Sequence, residues 1–304
     1  MPKPEFVQSA ALPKSVSAAD KKKLAKTLAV SKKILADKEC FKFFSFSGPA
    51  IAYGMRELFI DYIQRGAADA VVTSGATVVH DLIESYGGKH VAGTFAANDI
   101  QLHKQGFGRM GAVYVEMKYF ALFEKKITEI FKDIYKQKDE AKQGCKLSIS
   151  DFLYEIGKRL PKGKSFLAAC AEKNVRVYSP AFQDSMLGLQ LAIFNQDHKL
   201  IIDSTADMMP LFNTLHDQKK VGAIILGGGY FKHYTLGVNV LRGGIDYAIN
   251  ICSSDEKDGS LSGAKLEEGI SWGKASESAT LATLKGDYIK EFPKLYKLLV
   301  DELG

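Results

Sequence analysis

The chain's only tryptophan lies two residues before a lysine, in the segment Ser271-Trp272-Gly273-Lys274. A lysine amine is a nucleophile only when it is neutral, and burial beside an indole would lower its pKa by disfavouring the ammonium. Gly273 would let the backbone approach a substrate closely. The segment is therefore typical of a nucleophilic lysine, although a surface lysine that follows a core tryptophan has the same pattern.

Apolar runs and helical segments alternate along most of the chain. The runs predicted as strands are 43–47, 69–75, 175–180, 200–203, 221–226 and 245–251, and the charged stretch of about 115–170 is predicted to be helical. Near-continuous apolar strands that alternate with helices indicate a parallel sheet covered on both faces. The sequence therefore predicts an α/β fold with a Rossmann-like, doubly wound, mostly parallel sheet.

The predicted strands end in glycine, serine and aspartate. These ends are Ser47-Gly48, Thr73-Ser74-Gly75, Ser179 to Asp184, Gly227-Gly228-Gly229 and Ser253 to Gly259. Ligands of such folds bind beyond the carboxyl ends of the strands, where bare backbone can approach a pyrophosphate and aspartate can hold ribose hydroxyls. The GxGxxG fingerprint is absent, so this pattern alone predicts an α/β nucleotide-binding protein and nothing finer.

The composition is that of an ordinary globular protein, with 46% hydrophobic and 25% charged residues and a net charge of +6. Short lysine runs carry much of the excess, and we interpret them as solvated helix faces, so no nucleic-acid partner is expected. The four cysteines form no CxxC pair, which predicts reduced, mostly buried thiols and no metal site. No apolar run approaches the ~20 residues that span a bilayer, so we expect a soluble cytoplasmic protein.

Several motifs together resemble the deoxyhypusine synthase family. They are the block Gly259-Ser260-Leu261-Ser262-Gly263-Ala264 with Glu268 and Ser271-Trp272-Gly273-Lys274, the turn Gly227 to His233, the strand Leu241 to Ala248, Ser179-Pro180-Ala181 with Asp184, and the turn Val72 to Asp81. These matches span roughly residues 40–290 in the family's order. The turn Gly75 to Leu82 is closest to a branch of synthase-like proteins from archaea and bacteria.

The resemblance implies a deoxyhypusine synthase fold and an NAD-dependent transfer of an aminobutyl group from spermidine to a lysine of the translation factor 5A precursor. Lys274 would form an imine with the substrate, and His233 would accept the amine proton. Trp272, Glu268, Ser262, Gly228 and His80 are implied as substrate contacts. The implied NAD contacts are Ser74, Gly75, Asp184, Gly228, Asp258, Gly286 and Asp287.

The chain departs from the family where carboxylates would surround a polyamine. The family's glutamate pair is Val79-His80 here, two of its aspartates are Leu189 and Leu261, and an asparagine is Gly237. Each buried ammonium must be paired, so losing charge-assisted bonds of about 1.5–3 kcal/mol apiece should weaken cation recognition. His80 is open to two interpretations, as a substrate contact or as a packing residue.

Three interpretations of function remain. The first is the deoxyhypusine synthase reaction, and the second is the same imine chemistry on another amine, of the homospermidine or agmatine type. The third is an inactive regulatory paralogue, although Lys274 and His233 are both kept. We expect an N-terminal arm and helix at 1–40, a single NAD-binding catalytic domain at 41–304, and by family analogy a homotetramer without a membrane partner.

Overall fold

A six-stranded parallel sheet forms the centre of the computed structural model, which describes residues 5–138, 145–257 and 259–304. The strands of the chain are β1 (Cys40–Phe46), β2 (Ala70–Val72), β3 (His90–Ala92), β4 (Phe107–Met110), β5 (Val113–Glu116), β6 (Cys145–Ser148), β7 (Arg176–Tyr178), β8 (Leu200–Asp203), β9 (Lys220–Leu226), β10 (Ile245–Cys252) and β11 (Ala275–Lys285). The central sheet has the order β11-β10-β9-β1-β2-β7, and every pairing in it is parallel. The predicted α/β fold class is thus confirmed.

Helices cover both faces of this sheet. They are α1 (Ala18–Ala36), α2 (Arg56–Gln64), α3 (Gly75–Ser85), α4 (Asp99–Lys104), α5 (Met117–Lys138), α6 (Ile149–Gly157), α7 (Phe166–Glu172), α8 (Met186–Phe194), α9 (Met208–His216), α10 (Tyr230–Gly237), α11 (Glu268–Ser271) and α12 (Tyr288–Leu303). Successive strand residues point to opposite faces, so Ile224 joins one apolar core cluster and Ile225 joins the other. None of the helices in the described ranges is long and apolar enough to cross a membrane.

Two small sheets lie outside the central one, and the sequence pattern does not predict either correctly. Strands β3, β5 and β4 form an antiparallel sheet within a stretch that has no predicted strand. Strand β8 pairs with β6 in a separate two-stranded sheet, although 200–203 was expected in the central sheet and 145–148 in a helix. Strands β3 to β6 have only three or four residues each, and no long apolar run marks them in the sequence.

The first described residues are tied to this chain's own fold. The Val7 amide donates to the His90 carbonyl at 3.0 Å, and the Ala10 amide donates to the Gly54 carbonyl at 2.8 Å. Helix α1 then begins after Ser17, whose hydroxyl accepts from the Asp20 amide. The expected division of the chain at residue 40 stays a prediction.

Candidate functional site

The carboxyl ends of the central strands meet at one edge of the sheet because all six strands are parallel. Backbone hydrogen bonds hold neighbouring ends together: the Thr73 amide donates to Tyr178 at 3.0 Å, and the Gly227 amide donates to Ile251 at 2.8 Å. The Gly286 amide in turn donates to the Cys252 carbonyl at 3.0 Å. The loops rich in glycine, serine and aspartate therefore form one continuous rim.

Glycines at this rim allow approaches that a side chain would block. A Cβ atom on Gly228 would lie 2.5 Å from the Cα of Ser262, and one on Gly48 would lie 2.4 Å from the Ser74 hydroxyl oxygen. A Cβ atom on Gly75 would likewise lie 2.4 Å from the Ser185 hydroxyl oxygen. The Gly228 turn is therefore in direct contact with the loop that carries Ser262.

Lys274 and His233 lie together near this rim. The Nζ atom of Lys274 is 3.4 Å from Nε2 of His233. His233 is in the first turn of α10, directly after the glycine turn. Gly273 has a φ of +66°, and the turn it makes lets the Lys274 amide donate to the Gly269 carbonyl at 2.8 Å. The backbone of Lys274 is thus fixed on both sides, since its carbonyl accepts from the Ile245 amide at 3.0 Å.

The electrostatic environment of His233 favours a neutral imidazole. Partial burial lowers its pKa below the ordinary value, and the positive charge of Lys274 lowers the pKa further. A neutral imidazole offers a lone pair to a proton donor near pH 7. His233 is therefore suited to accept a proton beside the Lys274 amine.

The indole of Trp272 does not bury Lys274 within the single chain, contrary to expectation. Its side chain is 66% exposed, and the Lys274 Nζ atom lies 5.5 Å from the ring centroid. The short helix α11 ends just before the Gly273 turn, which directs the indole to solvent. Glu268 is also exposed, at the first turn of α11.

The residues expected to hold a dinucleotide lie on this rim where the structure describes them, and their role stays a prediction. Ser74 is one of them, and its buried hydroxyl oxygen has no hydrogen-bond partner among the described residues; the same holds for Ser179, at the end of β7. Asp184 is exposed on the loop that follows it, and Asp287 is exposed at the start of α12, where it accepts from the Ile289 amide at 3.0 Å. Asp258 lies outside the described residues.

The rim also contains a cavity and a partly buried tyrosine that the motifs did not predict. A cavity of about 390 Å³ lies beside the ends of β10 and β11, and its lining includes Asn250, Cys252 and Asp255. Tyr230 follows the glycine turn; burial raises the pKa of its phenol, and the nearby Ser74 side chain opposes that effect. The sequence motifs do not single out Tyr230, because its proximity to Ser74 arises from two different strands. Glycine-flanked backbone, exposed carboxylates and an unpaired hydroxyl are together the groups that a dinucleotide requires.

His80 lies in the protein interior, with 5% of its surface exposed. Its Nδ1 atom is 3.1 Å from Nε2 of His90, and the Nδ1 atom of His90 is 2.7 Å from a carboxylate oxygen of Glu84. Burial lowers the pKa of His80 to about 3, and the nearby His90 adds to the effect. His80 is thus a neutral, hydrogen-bonded residue in the single chain, and its role as a substrate contact stays a prediction.

The positions that lack the family's polar groups differ in exposure. Val79 is buried on α3, whereas Leu189 on α8 is 50% exposed. Gly237 lies beside the catalytic candidate, since a Cβ there would be 3.9 Å from the His233 ring. No carboxylate stands at any of these positions.

Comparisons with known proteins agree with this arrangement. The family model described as deoxyhypusine synthase matches residues 14–298. A "Probable deoxyhypusine synthase" of Methanothermobacter thermautotrophicus is 39% identical over 270 residues, which cover 89% of this chain and 86% of the relative. Another "Probable deoxyhypusine synthase", from Methanopyrus kandleri, is 38% identical over 282 residues, which cover 93% of this chain and 89% of the relative. A crystal structure from Entamoeba histolytica that carries a deoxyhypusine synthase assignment has the same fold, with a TM-score of 0.65 at 15% identity, over 93% of this chain and 89% of that one.

Proposed function

Because the chain belongs to the deoxyhypusine synthase family, we propose that it is an NAD-dependent aminoalkyl transferase that works through an imine on Lys274. The proposed reaction moves an aminobutyl group from spermidine to a lysine of the translation factor 5A precursor. The observation that carries the proposal is the 3.4 Å separation of the Lys274 amine and the His233 imidazole at the nucleotide rim.

The two side chains divide the proton and covalent chemistry between them. Bound NAD would accept a hydride from the carbon beside the secondary amine of the substrate and would return it to the final imine. His233 Nε2 would take the proton that the secondary amine loses on oxidation. The neutral Lys274 amine would then attack the substrate imine carbon, and the carbon–nitrogen bond to the leaving diamine would break as that diamine takes up a proton. The acceptor lysine would displace Lys274 by the same exchange.

Neighbouring groups would bind and orient the amine. The exposed Trp272 face can cover the alkyl chain, and the Glu268 carboxylate can pair with an ammonium. Ser262 and Gly228 form the close backbone contact between the two halves of the site. Ser74, Gly75, Asp184, Gly286 and Asp287 are proposed to hold the dinucleotide, and we include Asp258 on the family resemblance alone.

We also propose that the site is completed by a second copy of the chain, in a cytoplasmic homotetramer built from dimers. The open indole supports this, because a nucleophilic amine needs a partly desolvated site and the single chain leaves Trp272 66% exposed. Exposed apolar side chains on α8, Leu189 and Ile193, provide a surface for such an association.

A second candidate substrate is favoured by the same geometry. Val79, Leu189 and Leu261 place apolar groups where carboxylates would pair with a polyamine, so an amine with fewer charged nitrogens is the alternative. An inactive regulatory role is less consistent with the structure, because the lysine and the histidine are within reach of one another.

Adduct trapping tests the proposal. The protein is incubated with NAD and spermidine, putrescine, agmatine or homospermidine, reduced with borohydride, and digested for mass spectrometry. An aminobutyl adduct on Lys274 from spermidine, absent in Lys274→Arg and retained in Lys265→Arg, supports the proposed reaction. Lys265 is a suitable control because it is an exposed lysine of the neighbouring loop paired with Glu256. An adduct from another amine alone supports the alternative, and none from any amine contradicts the imine mechanism.

A further inference from the structure

Lys232 is a buried lysine that the proposed reaction does not use. It directly precedes His233 on α10, and its side chain is 1% exposed. Its Nζ atom donates to the Leu261 carbonyl at 3.2 Å and to the Ala264 carbonyl at 2.5 Å. The ammonium therefore joins α10 to the loop between β10 and α11.

Burying this ammonium is costly unless its hydrogens are bonded. Burial lowers the pKa of Lys232, and the negative charge of Glu268 opposes that effect. Within residues 5–138, 145–257 and 259–304, no carboxylate lies at ion-pair distance from Lys232, so the two carbonyls supply its bonds. Packing alone does not call for a charge here, because an uncharged chain of similar length would fill the same volume.

The loop that Lys232 holds is part of the candidate site. Ser262 lies between the two bonded carbonyls and rests against Gly228, where a Cβ would come within 2.5 Å of its Cα. The Cys252 thiol donates to the Ser262 carbonyl at 3.2 Å, which fastens the same loop to β10. The loop then continues through α11 to Lys274.

We propose that Lys232 is a positioning residue that ties the helix carrying His233 to the segment carrying Lys274. The inference rests on the proposed function, since it assigns Lys232 to the geometry of that site. His233 and Lys274 are 41 residues apart in the chain, and their 3.4 Å contact depends on how α10 and this loop are placed. A displacement of about 1 Å at a reacting pair can cost roughly 100-fold in rate.

Lysine suits this task because it carries a compact, multiply donating group on a long stem. The carbonyls of Leu261 and Ala264 are three residues apart in the chain and converge on one Nζ atom. Methionine would fill the space of the stem and leave both carbonyls without this donor. Arginine would keep the donors but would need room for a planar guanidinium.

Lys232→Met is compared with Lys265→Met, which changes an exposed lysine of the same loop. Two quantities are measured: the rate of reducible adduct formation on Lys274, and the hydrogen exchange of the backbone amides in 259–266. We expect Lys232→Met to slow adduct formation on Lys274 by about 10–100-fold and to speed hydrogen exchange in the loop. For Lys265→Met, we expect both rates to stay within about twofold of those of the parent protein. We expect Lys232→Arg to recover part of the rate.

A folded Lys232→Met protein whose adduct rate stays within about threefold of the parent would overturn the proposal. If Lys232→Met does not fold, the Lys232→Arg variant is used for the test. Faster hydrogen exchange in the 259–266 loop of that variant, without slower adduct formation on Lys274, would also overturn the proposal. A parent protein that forms no Lys274 adduct with any amine defeats the proposed function instead. The loop exchange of the Lys232 variants would then still show whether the lysine holds the loop, and unchanged exchange would reject it.

Discussion

The Lys274 amine lies 3.4 Å from the Nε2 atom of His233, although the two residues come from different elements of the fold. His233 stands in the first turn of α10, and Lys274 stands immediately before strand β11. Backbone hydrogen bonds from Ile245 and to Gly269 fix the main chain of Lys274. This pair accounts for the expected chemistry more directly than any other feature of the chain.

Replacing His233 should slow catalysis with little effect on folding. A general base contributes about 10²–10⁴-fold to a rate, so His233→Asn should reduce Lys274 adduct formation by that amount. The side chain is exposed, so the midpoint of thermal unfolding should stay close to that of the parent. Single-turnover trapping with borohydride measures the rate of adduct formation, and thermal unfolding measures the stability of the variant. An unchanged adduct rate in a folded variant would remove His233 from the mechanism.

The low-pH side of the pH–rate profile for Lys274 adduct formation should reflect the lowered pKa of His233. Partial burial and the Lys274 charge lower this pKa, so the imidazole stays neutral to a pH below about 6.5. Adduct formation should therefore persist below the ordinary histidine range and fall once the ring is protonated. Rates measured from pH 5 to 9 test this, and an acid limb that His233→Asn leaves in place would assign the titration to another group.

Restoring a carboxylate should change which amine is preferred. Leu261 lies in the loop beside Gly228, and its backbone carbonyl would still accept from Lys232 after substitution. A charge-assisted bond of about 1.5–3 kcal/mol predicts that Leu261→Asp lowers the KM for spermidine by about 10–100-fold. Leu261→Asn is the matched control, with the same shape and no charge. Equal values for both variants would show that this position does not face the cationic part of the substrate.

Asp81 is expected to support the fold rather than the chemistry. Its carboxylate accepts from the Ser165 hydroxyl at 2.7 Å and from the Phe166 and Leu167 amides at 2.9 and 3.0 Å, which caps α7. Asp81→Asn would place an amide donor against these donors, so the free energy of unfolding should fall by about 1–3 kcal/mol. Denaturant unfolding measures the change, with the exposed Asp99→Asn as control.

The same carboxyl has a testable effect on the pH dependence of stability. Burial raises the pKa of Asp81 to about 6, against the hydrogen bonds that lower it. The folded state then binds more protons than the unfolded state between about pH 4 and 6, so this group lowers stability as the pH rises through that window. The difference between parent and Asp81→Asn unfolding free energies, followed from pH 4 to 7, should show that slope. A flat difference would mean that the hydrogen bonds cancel the effect of burial, and a slope of the opposite sign would mean that they outweigh it.

The histidine pair should have one defined tautomer. Glu84 accepts from His90 Nδ1, so His90 Nε2 is left to accept from Nδ1 of His80. Nitrogen NMR should therefore show a neutral His80 protonated at Nδ1 down to about pH 4, since burial lowers its pKa to about 3. The pKa of His80 is lower in the folded state than in the unfolded state. The neutral His80 therefore contributes to the free energy of unfolding above about pH 6.5, and this contribution is lost as the pH falls below that value. A His80 signal that titrates near pH 6.5 would contradict the buried placement.

Local patterns in the sequence determined the fold class and predicted the candidate chemistry-bearing residues. Apolar runs that end in glycine and serine are enough to predict a parallel sheet with a ligand rim, because strand burial leaves a direct mark on composition. Ser271-Trp272-Gly273-Lys274 and the turn before His233 likewise carry the resemblance in consecutive residues. Strands β3 to β6 escaped prediction because none of them lies in a long apolar run. Strand β11 has eleven residues and also escaped prediction, because Ser276, Glu277 and Ser278 interrupt its apolar pattern.

Only the tertiary structure decided how distant residues meet. The sequence motifs give Lys232 no role, yet the fold buries it against two carbonyls of a loop that lies 29 and 32 residues further on. Trp272 was expected to bury Lys274 and instead faces solvent, because the Gly273 turn sets its direction. Burial and pairing depend on contacts between segments far apart in the chain, and no local period or motif encodes those contacts.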